Sequence, residues 1–190
     1  MVGIMFNIGD EVVHPMHGAG MIESIEEKDV LGKKQSYYIL KMPGEVKVMV
    51  PTTTAENIGV RNVIDKESAT KVFQVLENNS TDMSTNWNKR YRDNMDKMRS
   101  GDIYEIADIV RNLSFKQKEK GLSTAEKKML LNSRQILASE LALANNVTQE
   151  DIENIINEKI SASFATFKIE AKPVEDNVVK KFIPFDTDNN

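Results

Sequence analysis

Cysteine is absent from this chain of 190 residues, which excludes a disulfide framework and a thiol nucleophile alike. A reduced, cytoplasmic setting is the simplest reading of that absence. No apolar run approaches the ~18 residues a membrane helix needs, so no membrane contact is expected. The opening Met1-Val2-Gly3-Ile4-Met5-Phe6 is too short and too uncharged to serve as a signal peptide. Histidine is scarce: His14 and His17 stand among Pro and Gly, without helical H-x-x-x-H spacing. A turn between strands is expected there, and no metal site. Gly18-Ala19-Gly20 precedes a strand, whereas phosphate cradles lead into a helix, so these glycines are expected to permit a tight barrel turn. No G-x-S-x-G or other nucleophile–base–orienter set accompanies the Ser, Asp and His residues. Neither catalytic residues nor a cofactor is expected, and the chain reads as a non-enzyme. There is no internal repeat and no heptad seam, which favours a monomer.

Charge is present in quantity and unevenly placed. The net charge is −4, yet residues 82–134 hold twelve Lys and Arg against eight Asp and Glu. Residues 1–60 and 135–190 are both acidic by the same count. Overall acidity therefore leaves room for nucleic acid, provided that contact belongs to the middle segment.

The pattern divides the chain into an α+β arrangement. Short runs at 10–15, 20–26, 36–42, 46–51 and 59–64, separated by turn residues, predict five strands of an SH3-like β-barrel. Closure of that barrel would remove the exposed edges that such short strands otherwise leave. From Asp65 the period becomes helical, and about five helices follow in an all-α domain. Asp65, Asp102, Ser123 and Thr148 read as N-caps, with Ser123-Thr124-Ala125-Glu126 a capping box. The last helix is expected to end near Ile160. Beyond it Phe164-Ala165-Thr166-Phe167-Lys168-Ile169 alternates like a strand, followed by loop-like residues. The expected division is 1–64, 65–160 and a C-terminal tail over 161–190 of flexible character.

The only tryptophan, Trp87, lies in Asn86-Trp87-Asn88-Lys89-Arg90-Tyr91-Arg92. Trp87, Tyr91, Met95 and Met98 fall at i, i+4, i+8 and i+11, a stripe suited to facing a core. Lys89 with Asp93, and Arg92 with Asp96, suit pairing on a solvated face. Against that reading, Trp87 sits in the first turn, where a ring overhangs the domain edge. A flat apolar ring amid cations also suits a wedge into a nucleic-acid groove. Composition leaves both readings open.

The chain resembles the CarD/CdnL family of bacterial RNA-polymerase-binding transcription regulators. The resemblance is carried by Phe6-Asn7-Ile8-Gly9-Asp10-Glu11-Val12-Val13-His14-Pro15, Tyr38-Ile39-Leu40-Lys41-Met42 and Gly59-Val60-Arg61. It continues through Asn86-Trp87-Asn88-Lys89-Arg90-Tyr91, Gly121-Leu122-Ser123-Thr124-Ala125-Glu126 and Ser139-Glu140-Leu141-Ala142. It implies a Tudor-like barrel docking on the β subunit of RNA polymerase, similar to the polymerase-interacting module of transcription-repair coupling factors. Lys28, Lys47, Met49 and Pro51 are the expected contacts, although Met49 stands where the resemblance implies a cation. The helical domain is implied to touch promoter DNA at the upstream edge of the melted region. Trp87 would be the wedge, with Lys89, Arg90, Arg92, Lys127 and Lys128 as basic contacts. The function implied is stabilisation of the promoter open complex by a nucleoid-associated regulator. An adaptor that binds polymerase without touching DNA is the alternative.

Overall fold

The computed structural model describes residues 6–170. Its N-terminal part is a five-stranded antiparallel sheet: β1 (Glu11–His14), β2 (Gly18–Val30), β3 (Lys33–Lys41), β4 (Lys47–Pro51) and β5 (Arg61–Asn62). The strand order is β4-β3-β2-β1-β5. β2 and β3 run as one long hairpin, reversed at Leu31 and Gly32, which both have positive φ. Val12, Ile22, Tyr38, Leu40 and Val50 line the inner face and are all buried. Alternation holds for the inner face only in part: Val13 of β1, and Tyr37 and Ile39 of β3, are buried on the opposite face as well.

The expected barrel is not closed by strand pairing. β4 and β5 remain the two edges of the sheet. Between them a single helical turn, α1 (Ala55–Ile58), carries the chain across the opening. Ala55 and Val60 enter the inner core there, with Phe6 from the start of the chain. The expected fifth strand over 59–64 is only two residues long, because Gly59 takes φ +93° to end α1 and consumes part of the segment.

Five helices follow: α2 (Lys66–Glu77), α3 (Trp87–Ser100), α4 (Ile103–Glu119), α5 (Thr124–Asn145) and α6 (Gln149–Glu170). Asp65, Asp102 and Ser123 each accept a backbone N–H at the start of their helix. Thr148 Oγ1 accepts the Asp151 N–H at 3.1 Å and caps α6 in the same way. α4 is the central helix: Ile106, Ile109, Val110 and Leu113 are essentially inaccessible and meet Leu76, Leu137, Leu141, Ile152 and Ile156.

The strand expected near Phe164 is instead the last part of α6, which runs ten residues past Ile160. Phe164 and Phe167 both meet Phe115, with ring centroids at 5.2 and 5.7 Å. Phe167 and Ile169 alternate as a strand would, but Phe164 and Phe167 are three apart and share one helix face, which packs on Phe115. Residues 161–170 are therefore not tail; residues 171–190 lie outside the described part.

Sheet and helices meet along a close seam. Gly18 has φ +86°, and a Cβ there would stand 2.4 Å from Ser139 Oγ on α5. Gly20 faces the backbone of Lys41 so closely that a Cβ would lie 2.3 Å from its carbonyl oxygen. The glycines thus do more than permit a turn: they open β2 to α5 and to its neighbour strand. The Ala19 N–H donates to Ser139 Oγ at 2.9 Å. Arg61 of β5 grips Glu140 of α5 with two bonds, of 2.5 and 2.9 Å, and donates to the Gly101 carbonyl at 3.0 Å. The Glu140 side chain is only 1% exposed.

Candidate nucleic-acid interface

Trp87 occupies the first position of α3, directly after its cap Asn86, whose side chain accepts the Lys89 N–H. The stripe that Trp87 heads dips progressively inward. Met98 is buried, Met95 and Tyr91 pack against the helical core, and Trp87 remains 43% exposed. The stripe is core at its C-terminal end and surface at its N-terminal end.

The indole is nevertheless held in place. Its ring stacks on Tyr91 with centroids 5.8 Å apart and planes 23° from parallel. Its N–H donates to Ser123 Oγ at 3.0 Å, joining the first residue of α3 to the cap of α5. Ser123 belongs to the complete capping box expected there: Glu126 Oε2 accepts the Ser123 N–H at 3.0 Å. Two helix N-termini thus converge behind the ring, and their partial positive charge favours an anion nearby.

Lys89, Arg92, Lys127 and Lys128 are all exposed; helical geometry sets Lys89 and Arg92 well round α3 from Trp87, while Lys128 of α5 lines a groove with Tyr91. None of the four makes a side-chain hydrogen bond or ion pair among the described residues. The pairs expected between Lys89 and Asp93, and between Arg92 and Asp96, are not formed; Asp96 faces Arg99 instead, at 3.7 Å.

Arg90 departs from expectation. Its side chain is turned inward and 9% exposed, with Nε donating to Glu126 Oε1 at 2.7 Å and Nη1 to the Ser84 carbonyl at 2.7 Å. Its donors are committed inside the domain, so it fixes the platform and is not placed to reach a phosphate. Burial works against ionisation of Glu126, but hydrogen bonds from Ser123 and Arg90 outweigh it and hold the carboxyl below the usual carboxylate range. The loop leading to Trp87 is pinned at its other end. Thr81 N–H donates to Asn112 Oδ1 at 3.0 Å, and buried Arg111 donates to the Val75 carbonyl at 2.7 Å. Ser123, Tyr91 and Glu126 are the residues that sequence reasoning passed over as site members, although the capping box was the available signal.

The four residues expected to contact polymerase share a different surface. Register pairs Lys28 with Gln35, Tyr37 with Pro51, Ile39 with Met49 and Lys41 with Lys47. These positions alternate with the buried inner residues, so Lys28, Lys47, Met49 and Pro51 all stand on the outer face of β2–β3–β4. Met49 is 47% exposed and lies over Ile39, which is buried. Lys28 pairs with Glu26 at 2.9 Å, and Lys47 with Glu23 at 2.6 Å. Glu23 holds the Lys47 ammonium above its ordinary pKa by hydrogen bonding and charge. Glu23 itself sits at a β-bulge between Ile22 and Ser24, an irregularity that alternation alone does not reveal.

His14 ends β1 and His17 lies in the turn that follows, ring centroids 4.7 Å apart, and no group of three potential metal ligands occurs among the described residues. His14 Nδ1 accepts the Met16 N–H at 3.2 Å. Burial, with His17 adding to it, lowers the His14 pKa from 6.5 to about 4. No helix among the described residues is long and apolar enough to cross a membrane.

Two family models cover this architecture in order. Residues 6–64 match the CarD-like/TRCF RID domain, and residues 71–157 match the CarD C-terminal domain. Over 151 residues the chain is 40% identical to a Bacillus subtilis (strain 168) protein described as "Putative transcription factor YdeB", an alignment spanning 79% of this chain and 99% of that protein.

Proposed function

We propose that this chain, which belongs to the CarD family of transcription factors, binds RNA polymerase through its sheet and promoter DNA through its helices. The polymerase contact assigned to it is the outer face of β2–β3–β4, carrying Lys28, Lys47, Met49 and Pro51, and the partner is the β subunit. The DNA contact is Trp87 with Lys89, Arg92, Lys127 and Lys128. The observation that carries this reading is the half-exposed Trp87 ring, clamped by Tyr91 and Ser123, on the same two helices as four exposed cations that engage nothing else among the described residues.

The physical logic is cooperative. Four cations bind duplex weakly and without sequence preference. Tethering through the sheet raises their effective concentration at the promoter, so weak contacts suffice. A pre-ordered ring loses little freedom on insertion and suits the junction between duplex and bubble, where unstacking is already partly done. Interactions made only with the open form shift the equilibrium toward it. A ring contribution of ~1–3 kcal/mol lengthens the open state by about 5- to 150-fold.

The test is open-complex lifetime on a promoter challenged with competitor DNA, with and without this protein. Trp87→Ala is expected to abolish the effect while polymerase binding persists. An undiminished effect in a folded Trp87→Ala protein would sink the wedge.

A further inference from the structure

Beside Trp87 the surface opens into a groove of about 600 Å³ between α3, α5 and the β1–β2 turn. That volume falls within the ~300–1,000 Å³ usual for small-ligand sites. Tyr91, which stacks on Trp87, forms its near wall, and Met95 and Met129 are among its apolar lining. Lys128 also lines it, with the amides of Asn132 and Gln135. Neither amide makes a side-chain hydrogen bond among the described residues. No carboxylate lines this groove, whereas the two other large grooves carry Asp82 and Glu119, or Glu11.

We infer that this groove receives one unstacked nucleobase from the DNA strand displaced at Trp87. The components match what a base presents. A flat π-face takes up the aromatic edge of Tyr91 and the polarizable sulfurs of Met95 and Met129. The base's polar edge needs paired donors and acceptors, which Asn132 and Gln135 supply. Its phosphate needs a cation at the rim, which is Lys128. An apolar protein side chain would fill the volume but leave the amides and the ammonium unanswered. A base already split from its partner by the ring enters at reduced cost, because unpairing precedes capture. The inference rests on the DNA-contact reading above.

The experiment uses the full chain with cognate polymerase holoenzyme on promoter DNA carrying 5-iodouracil at successive thymines across the upstream edge of the bubble. Illumination crosslinks the base to whatever it touches, and peptide mapping identifies the residue. One position is expected to crosslink to Tyr91, Met95 or Met129. Its yield should fall by about tenfold in the double variant Asn132→Ala, Gln135→Ala, the equivalent of one or two lost hydrogen bonds. Crosslinks confined to Trp87 would overturn the base site and leave the wedge intact. Crosslinks to no residue of this chain, in complexes shown to contain it, would overturn both. An unchanged yield in the double variant would mean that the amides bind something else, a polymerase side chain included, and would also overturn the assignment.

Discussion

Lys89 and Arg90 are adjacent in sequence, carry the same charge, and have opposite fates. Arg90 meets Glu126 inside the domain, and the Glu126 side chain is 2% exposed. Arg90→Ala strands that carboxylate, and stability is expected to fall by about 3–5 kcal/mol in chemical denaturation. Lys89→Ala removes an exposed ammonium without a partner; its stability should change by less than ~0.5 kcal/mol. On the proposed DNA contact its effect is expected in DNA binding, where the slope of log affinity against log salt should shrink by about one. His14 offers a prediction in pH. Its folded pKa of about 4 lies below the ordinary 6.5, so the unfolded chain takes up its proton first. Stability is therefore lost as pH falls from about 6.5 toward about 4 and levels off below. Urea midpoints at pH 7 and pH 5 check this, and His14→Gln should reduce the difference between them.

Among the elements, what sequence made legible follows from the range of the forces involved. Caps at Asp65, Ser123 and Thr148 are contacts within three residues, and each one forms. Strand positions and helix count rest on periodicity, which is likewise local. What escaped were contacts across the fold. Arg90 finds Glu126 thirty-six residues away, and Ala19 finds Ser139 one hundred and twenty residues away. No spacing rule announces either partner, so a buried arginine read as a phosphate contact and a seam glycine as turn punctuation. At the end of α6 the Phe167/Ile169 spacing fits a strand and the Phe164/Phe167 spacing fits a helix, and a window this short does not decide between them. Phe115, 2% exposed, is covered partly by those rings. Phe164→Ala is expected to cost about 2–4 kcal/mol in denaturant, which would establish residues 161–170 as part of the helical core. An unchanged midpoint would detach them from it.

At the scale of the whole molecule, sheet and helices are joined by groups that tolerate little displacement. Glu140 accepts from Arg61 and from the Ile64 N–H, at 3.2 Å, and is shielded from water. Arg61→Ala should destabilise by about 3 kcal/mol, because the carboxylate stays buried without its cation. It should also separate two signals that are expected to coincide in the unaltered chain: Trp87 fluorescence, which reports the helices, and far-UV ellipticity, which reports both parts. Coincident transitions in the variant would mean that the seam couples the domains without Arg61. Gly18 bears on the same joint from the other side, where even a methyl group meets Ser139 Oγ and the Ile136 backbone. Arg61 and Gly18 thus hold the sheet against adjacent residues of α5, Glu140 and Ser139, and this one joint sets the span from the outer sheet face to the indole. On the proposed function such a molecule would act as a caliper: with one jaw set on the polymerase, the other would fall at one predetermined base step.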